Sequence, residues 1–165
     1  MAADRELIKT TLEFSKKLNI LYAEDDEVLL KATVPMFEQW FNNVRCCKDG
    51  QEAFDLFKNS EMKFDLIITD INMPNLSGLD FVEKVRQIDE DIKIIIISAH
   101  DDTENLLKSI NLHVNDFLPK PYDMLDLAKI LKSIKEKNLT FATNKRELEE
   151  RFERLVDNNS HNIDK

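Results

Sequence analysis

Three acids in a row, Glu24, Asp25 and Asp26, follow the apolar run Asn19–Ala23. A fourth, Asp70, closes the run FDLIIT that begins at Phe64; Ser98 closes KIIIIS, and Lys120 follows Asn115–Leu118. If these runs are parallel strands, their carboxyl ends converge on one edge of a sheet, where ligands bind in the crevice. Several carboxylates, one hydroxyl and one lysine then share a small space. Carboxylates held together repel, and a hard cation relieves the repulsion; such donors with a carbonyl and retained waters suit Mg²⁺. The lysine adds a mobile positive charge suited to a phosphoryl oxygen. A carboxylate can itself attack phosphorus and become an aspartyl-phosphate. The chemistry implied is phosphoryl transfer onto a carboxylate, stabilised electrostatically.

Such an edge needs strands in the right order, and the chain supplies five short apolar runs: Asn19–Ala23, Val44–Cys47, Phe64–Thr69, Lys93–Ser98 and Asn115–Leu118. The third and fourth are nearly unbroken in apolar residues, which suits parallel strands buried on both faces. Between them lie helix-period segments at Glu27–Phe41, Gln51–Asn59, Leu79–Gln87 and Thr103–Leu112. Leu127, Ile130, Leu131 and Ile134 make a last i, i+3, i+4, i+7 stripe. Asp101 and Glu104 have the spacing of a helix-start box. Repeated strand–helix alternation predicts an open α/β sheet with right-handed crossovers. Pro35 inside the first of these helices predicts a bend or an early stop, because it removes an amide and crowds the carbonyl of Lys31.

The set LYAEDDE, DLIITDINMPNLSGLDF, IIIISAH and FLPKPY, with the Asp49-Gly50 turn, resembles the receiver domains of two-component response regulators. The resemblance implies a flavodoxin-like (βα)5 doubly wound sheet of order 2-1-3-4-5 over residues 19–137. It also implies phosphorylation of Asp70 by a sensor histidine kinase or phosphotransfer protein, with Mg²⁺ as cofactor. Glu24 and Asp25 match the acidic pair that holds the metal together with Asp70, and Asn72 matches the position whose backbone carbonyl completes the site. Asp26 could substitute for Asp25, but strand register favours Glu24 and Asp25, with Asp26 capping the helix. Ser98 matches the hydroxyl that moves onto the phosphoryl group, Lys120 its ion-pair partner and Phe117 the aromatic switch. The Lys120–Pro121 bond matches a cis peptide. Asn72 and His100 match the positions that flank the attacking water and tune the lifetime of the phosphorylated form.

Plainer roles compete at each position: a turn cap for Asp70, loop solvation for Glu24 and Asp25, a surface lysine at Lys120, a packed core aromatic at Phe117 and solvated histidines. Cys46 and Cys47 are adjacent, so a disulfide framework is implausible, and they fill a strand. Two whole-protein alternatives come from other classes. A haloacid-dehalogenase-like phosphatase needs an acid two residues after its nucleophile, where Asn72 stands. A phosphorylation-independent pseudo-receiver would lack the acid pair, the acceptor or the lysine, and all are present.

With 23 basic and 32 acidic residues the net charge is −9, which disfavours binding driven by phosphate neutralisation, so no direct nucleic-acid contact is expected. Two glycines rule out a glycine-rich phosphate loop. No apolar run is long enough to span a membrane and no secretion signal is visible, so a cytoplasmic protein is expected. Residues 1–18 read as a helical extension, and 138–165 as a helix or linker with a polar tail; 144–157 carry a capping box and the stripe Leu148, Phe152, Leu155. The terminal helices are expected to pair with each other or across a homodimer, away from the acidic cluster. The stretch after Lys137 is too short for a helix-turn-helix output domain. The signal is then expected to pass to a downstream protein partner or to a missing effector domain. The switch is expected not to be an enzyme, beyond assisting its own phosphorylation and dephosphorylation.

Overall fold

In the computed structural model, residues 2–99 and 103–138 are described. The chain divides into two units, Met1–Leu131 and Lys132–Lys165. The first unit is built on the isoleucine-rich runs. Strand β1 is Asn19–Ala23, β2 Asn43–Cys47, β3 Leu66–Asp70, β4 Lys93–Ser98 and β5 Asp116–Pro119. All pair in parallel, in the order β2-β1-β3-β4-β5. Every residue of β3 is buried, and so are the four isoleucines of β4, as a sheet covered on both faces requires. Edge strand β2 is half-exposed and carries Arg45 outward.

The helices are α1 (Ala2–Ser15), α2 (Glu27–Trp40), α3 (Gly50–Asn59), α4 (Gly78–Arg86) and α5 (Thr103–Asn111). Residues 124–131 are helical and close the first unit; in the second, 132–138 are helical. Four helices open on a side chain that accepts their free amides. Asp26 takes those of Val28 and Leu29, Asp49 that of Glu52, Ser77 that of Asp80 and Asp123 those of Leu125 and Asp126. Asp26 and Asp49 lie within three residues of a strand's carboxyl end, so the turns there are short.

The flavodoxin-like order and the five alternations agree with the sequence expectation, with three instructive differences. Pro35 neither stops α2 nor shortens it. Pro35 and Lys31 both lie on the exposed face, where water can serve the carbonyl that loses its amide partner. Strand β3 starts at Leu66 rather than Phe64, because Phe64 is buried by stacking on Phe57, at 6.3 Å between ring centres, ahead of the paired backbone. In α1 the buried residues are the small Thr11 and Ser15, while Leu7, Ile8, Leu12 and Phe14 are half-buried. Ser15 Oγ donates to the carbonyl of Trp40 at 2.7 Å and Thr11 Oγ1 to that of Ala128 at 3.5 Å. The helix start at Asp101 and the stripe over 144–157 lie outside the described residues.

Candidate functional site at the carboxyl edge of the sheet

The strand register lines up the chemistry. Ala23 pairs with Thr69 and with Cys47, Asp70 with Ile97, and Ser98 with Pro119. Glu24 therefore stands level with Asp70, Ser98 one residue further along the next strand and Lys120 one residue beyond the level of Ser98, all at the carboxyl edge. Glu24 is 1% exposed and Asp70 8%, while Asp25 projects into solvent. One carboxylate oxygen from each of Glu24, Asp25 and Asp70 lies within 4.8 Å of the others. Asp26 is turned away, its Oδ1 accepting the amides of Val28 at 2.8 Å and Leu29 at 3.1 Å.

Lys120 spans the cluster. Its Nζ lies 2.5 Å from Asp70 Oδ2 and 3.1 Å from Glu24 Oε2. Three carboxylates against one ammonium leave the edge negative. Burial pushes the Glu24 carboxyl above its usual range, with Lys120 pulling the other way and Asp70 adding to the rise. Burial alone would lower the Lys120 ammonium, but its bonds to Asp70 and Glu24 outweigh that and hold it above its ordinary value.

The loop after β3 is braced from both sides. The amide of Asn72 donates to Asp70 Oδ1 at 3.2 Å. Asn75, in the left-handed region at φ 63°, donates through Nδ2 to Asp49 Oδ2 at 2.7 Å. Both glycines of the chain touch this segment: a Cβ at Gly78 would overlap the Asp70 carbonyl oxygen, and one at Gly50 the Leu76 carbonyl oxygen. These braces escaped sequence reasoning, although Gly and Asn flanking a proline-containing loop are the signal that could have shown them.

Ser98 is half-buried at the end of β4, and its carbonyl accepts the Lys120 amide at 2.8 Å. Phe117 is half-buried against the core cluster that contains Ile94 and Ile96. The Lys120–Pro121 peptide is cis. His100 lies outside the described residues. The site thus brings together Glu24, Asp25, Asp70, Asn72 and Lys120, with Ser98 on the neighbouring strand end.

The sequence profile of the response regulator receiver domain matches residues 20–132. The chain belongs to this family. An uncharacterized response regulatory protein of Staphylococcus epidermidis is 36% identical over 115 residues, covering 68% of this chain and 44% of that protein. A probable transcriptional regulator of Porphyra purpurea is 37% identical over 119 residues, covering 70% of this chain and 56% of its own length. The receiver thus spans about half the length of the curated relatives it matches. A receiver domain crystal structure from Clostridium thermocellum superposes with a TM-score of 0.67 at 27% identity, over 74% of this chain and 98% of that one. The receiver is the signalling part of two-component response regulators, and in this chain its acidic cluster occupies the carboxyl edge of the sheet.

Proposed function

We propose that this receiver is a phosphorylation switch whose acceptor is Asp70. A sensor histidine kinase or phosphotransfer protein presents a phosphoryl group, and an oxygen of the Asp70 carboxylate attacks phosphorus. The bond from phosphorus to the donor imidazole nitrogen breaks, and its electron pair leaves with that nitrogen. Lys120, already bridging Asp70 and Glu24, is within reach of a phosphoryl oxygen on Asp70 and exchanges a carboxylate partner for it. Ser98 supplies a hydroxyl from the next strand end, and Phe117 on β5 is the aromatic switch. Asn72 stands beside the acceptor, where it sets the approach of water and so the lifetime of the phosphorylated form.

The residues fit a resident Mg²⁺. Three carboxylates with mutually close oxygens, one of them deeply buried, are a hard-cation donor set. Glu24, Asp25, Asp70 and the Asn72 carbonyl would hold it, and it would supply positive charge to the oxygens of the transferred group. The observation that carries this reading is the Lys120 ammonium shared between Asp70 and Glu24.

No helix among the described residues is long and apolar enough to cross a membrane. We place the receiver in the cytoplasm, where its partners are the phosphodonor and a downstream protein or effector domain; two relatives bear the words transcriptional regulator or transcriptional regulatory protein in their names. Direct nucleic-acid binding by residues 1–165 is not part of this reading. The switch turns over no separate substrate.

The test is intact mass after treatment with acetyl phosphate. One phosphoryl adduct is expected with Mg²⁺, none with chelator and none in Asp70→Asn. An adduct that survives Asp70→Asn, or forms equally well in chelator, overturns the assignment.

A further inference from the structure

The turn from β2 to α3 holds none of the three clustered acids, yet it touches both loops that carry them. On one side, the Cys47 carbonyl accepts the amide of Glu24 at 3.1 Å, and Lys48 Nζ donates to Glu27 Oε1 at 2.8 Å. On the other, Asp49 Oδ2 accepts Asn75 Nδ2 at 2.7 Å, and the Gly50 amide donates to the Leu76 carbonyl at 3.1 Å. The Lys48–Glu27 pair is exposed and therefore weak. The grip on residues 75 and 76 is the firmer one.

What that grip holds is a conformation that does not persist by itself. The Leu76 amide donates to the Pro74 carbonyl at 2.7 Å, which closes a three-residue turn around Asn75 at φ 63°. A three-residue turn with positive φ at its centre is the rare and strained kind, kept only where its surroundings over-determine it. At the base of the loop, the Gly78 amide donates to the Ile71 carbonyl at 2.8 Å. Asn72 lies between these two fastenings. In the donor set proposed for Mg²⁺, its carbonyl is the one contributed by backbone. A carboxylate can turn about its side chain to meet an ion, whereas a backbone carbonyl goes where its loop goes.

Asp49 does more than a cap requires. Its Oδ1 accepts the Glu52 amide at 2.8 Å, which is enough to start α3. Its second oxygen reaches Asn75, 26 residues further along the chain. The Glu52 amide and then Asn75 hold the carboxyl below its usual range, so it is charged at neutral pH and a strong acceptor.

We propose that Asp49 is a positioning residue for the metal: through Asn75 it keeps the loop that carries the Asn72 carbonyl in its Mg²⁺-binding conformation. This deepens the reading of the site as a Mg²⁺-dependent switch and rests on it.

The experiment is an NMR titration of the full chain with MgCl₂, with amide exchange measured separately in the metal-free protein. The variants are Asp49→Asn, Asn75→Asp and the two combined. Asp49→Asn keeps an oxygen for the Glu52 amide but turns an amide donor towards Asn75. Asn75→Asp keeps a residue that tolerates the left-handed region but sets a carboxylate against Asp49. Combined, the pair again has one donor and one acceptor, in the opposite order. Each single variant should raise the Kd for Mg²⁺ about 3–10-fold, the factor one net hydrogen bond supplies to the competent population. The amides of Asn72 and Leu76 should exchange faster in both, with those of β4 unchanged as the sign of an intact fold. The combined variant should return Kd to within about twofold of the wild type. Charge alone predicts opposite signs, because Asn75→Asp adds an acid near the metal and Asp49→Asn removes one. The role is overturned if the single variants bind like the wild type, if they shift Kd in opposite directions, or if combining them restores nothing. A wild-type chain that binds no Mg²⁺ overturns the reading of the site and this role together.

Discussion

At the scale of single residues, Glu24 pays most for the arrangement of the site. Its carboxyl is all but sealed from solvent, so its folded-state pKa lies above the unfolded one. A group shifted in that direction favours the fold most fully below the unfolded value, about 4.3, and that contribution is lost as pH rises through the folded value. Ionised Glu24 therefore costs stability at neutral pH. Without metal, Glu24→Gln should unfold at higher denaturant at pH 7, by on the order of 1 kcal/mol, with its advantage vanishing near pH 4. Urea titrations across that range check it. Lys120 follows the same rule at the alkaline end, contributing fully below about pH 10.4 and losing its contribution as pH rises through its raised folded value. Cys46 and Cys47, pushed by burial to about 11 and about 12, stay protonated at neutral pH. Iodoacetamide at pH 8 should label neither in the folded chain within the time that labels both in guanidinium.

At the scale of elements, the loop from β3 to α4 fixes where Asp70 stands. Gly78→Ala would force a methyl onto the Asp70 carbonyl, and a loss of about 1–3 kcal/mol is expected, with weaker Mg²⁺ binding in the same variant. Arg86 ties a different corner. Its guanidinium donates to the carbonyls of Asp89, Ile92, Leu112 and His113, joining the end of α4 to the start of β4 and the turn after α5. Strands were legible where apolar residues and pairing coincide, as at Asn19–Ala23 and Lys93–Ser98. At Phe64 they part, because hydrophobicity reports burial and not backbone pairing. The acids and Lys120 were legible because strand ends are visible in sequence. The surroundings of the Tyr22 hydroxyl were not, since Thr33 and Tyr122 come to it from α2 and from the segment after β5.

At the scale of the whole molecule, α1 is bound into the first unit by Ser15 and Thr11, not left as an appendage. Removing residues 1–16 should cost about 2 kcal/mol, near 1 for each lost buried hydrogen bond, measurable by thermal or urea unfolding. Unchanged unfolding would show that α1 contributes nothing. The proposed Mg²⁺ would act on the same balance through linkage. At a free concentration ten times Kd it should stabilise by about 1.4 kcal/mol, and Asp25→Asn should reduce the gain.

The strand order has a consequence for the chain as it is being made. Strand β1 meets β2 early, but its other neighbour, β3, ends at Asp70, and Lys120 comes 50 residues after that acid. At ribosomal rates of about 5–20 residues per second, that separation corresponds to about 3–10 seconds. During that interval the carboxylates of Glu24 and Asp70 exist without the ammonium that bridges them. The last strand and the lysine just after it therefore supply both an edge of the sheet and the counter-charge.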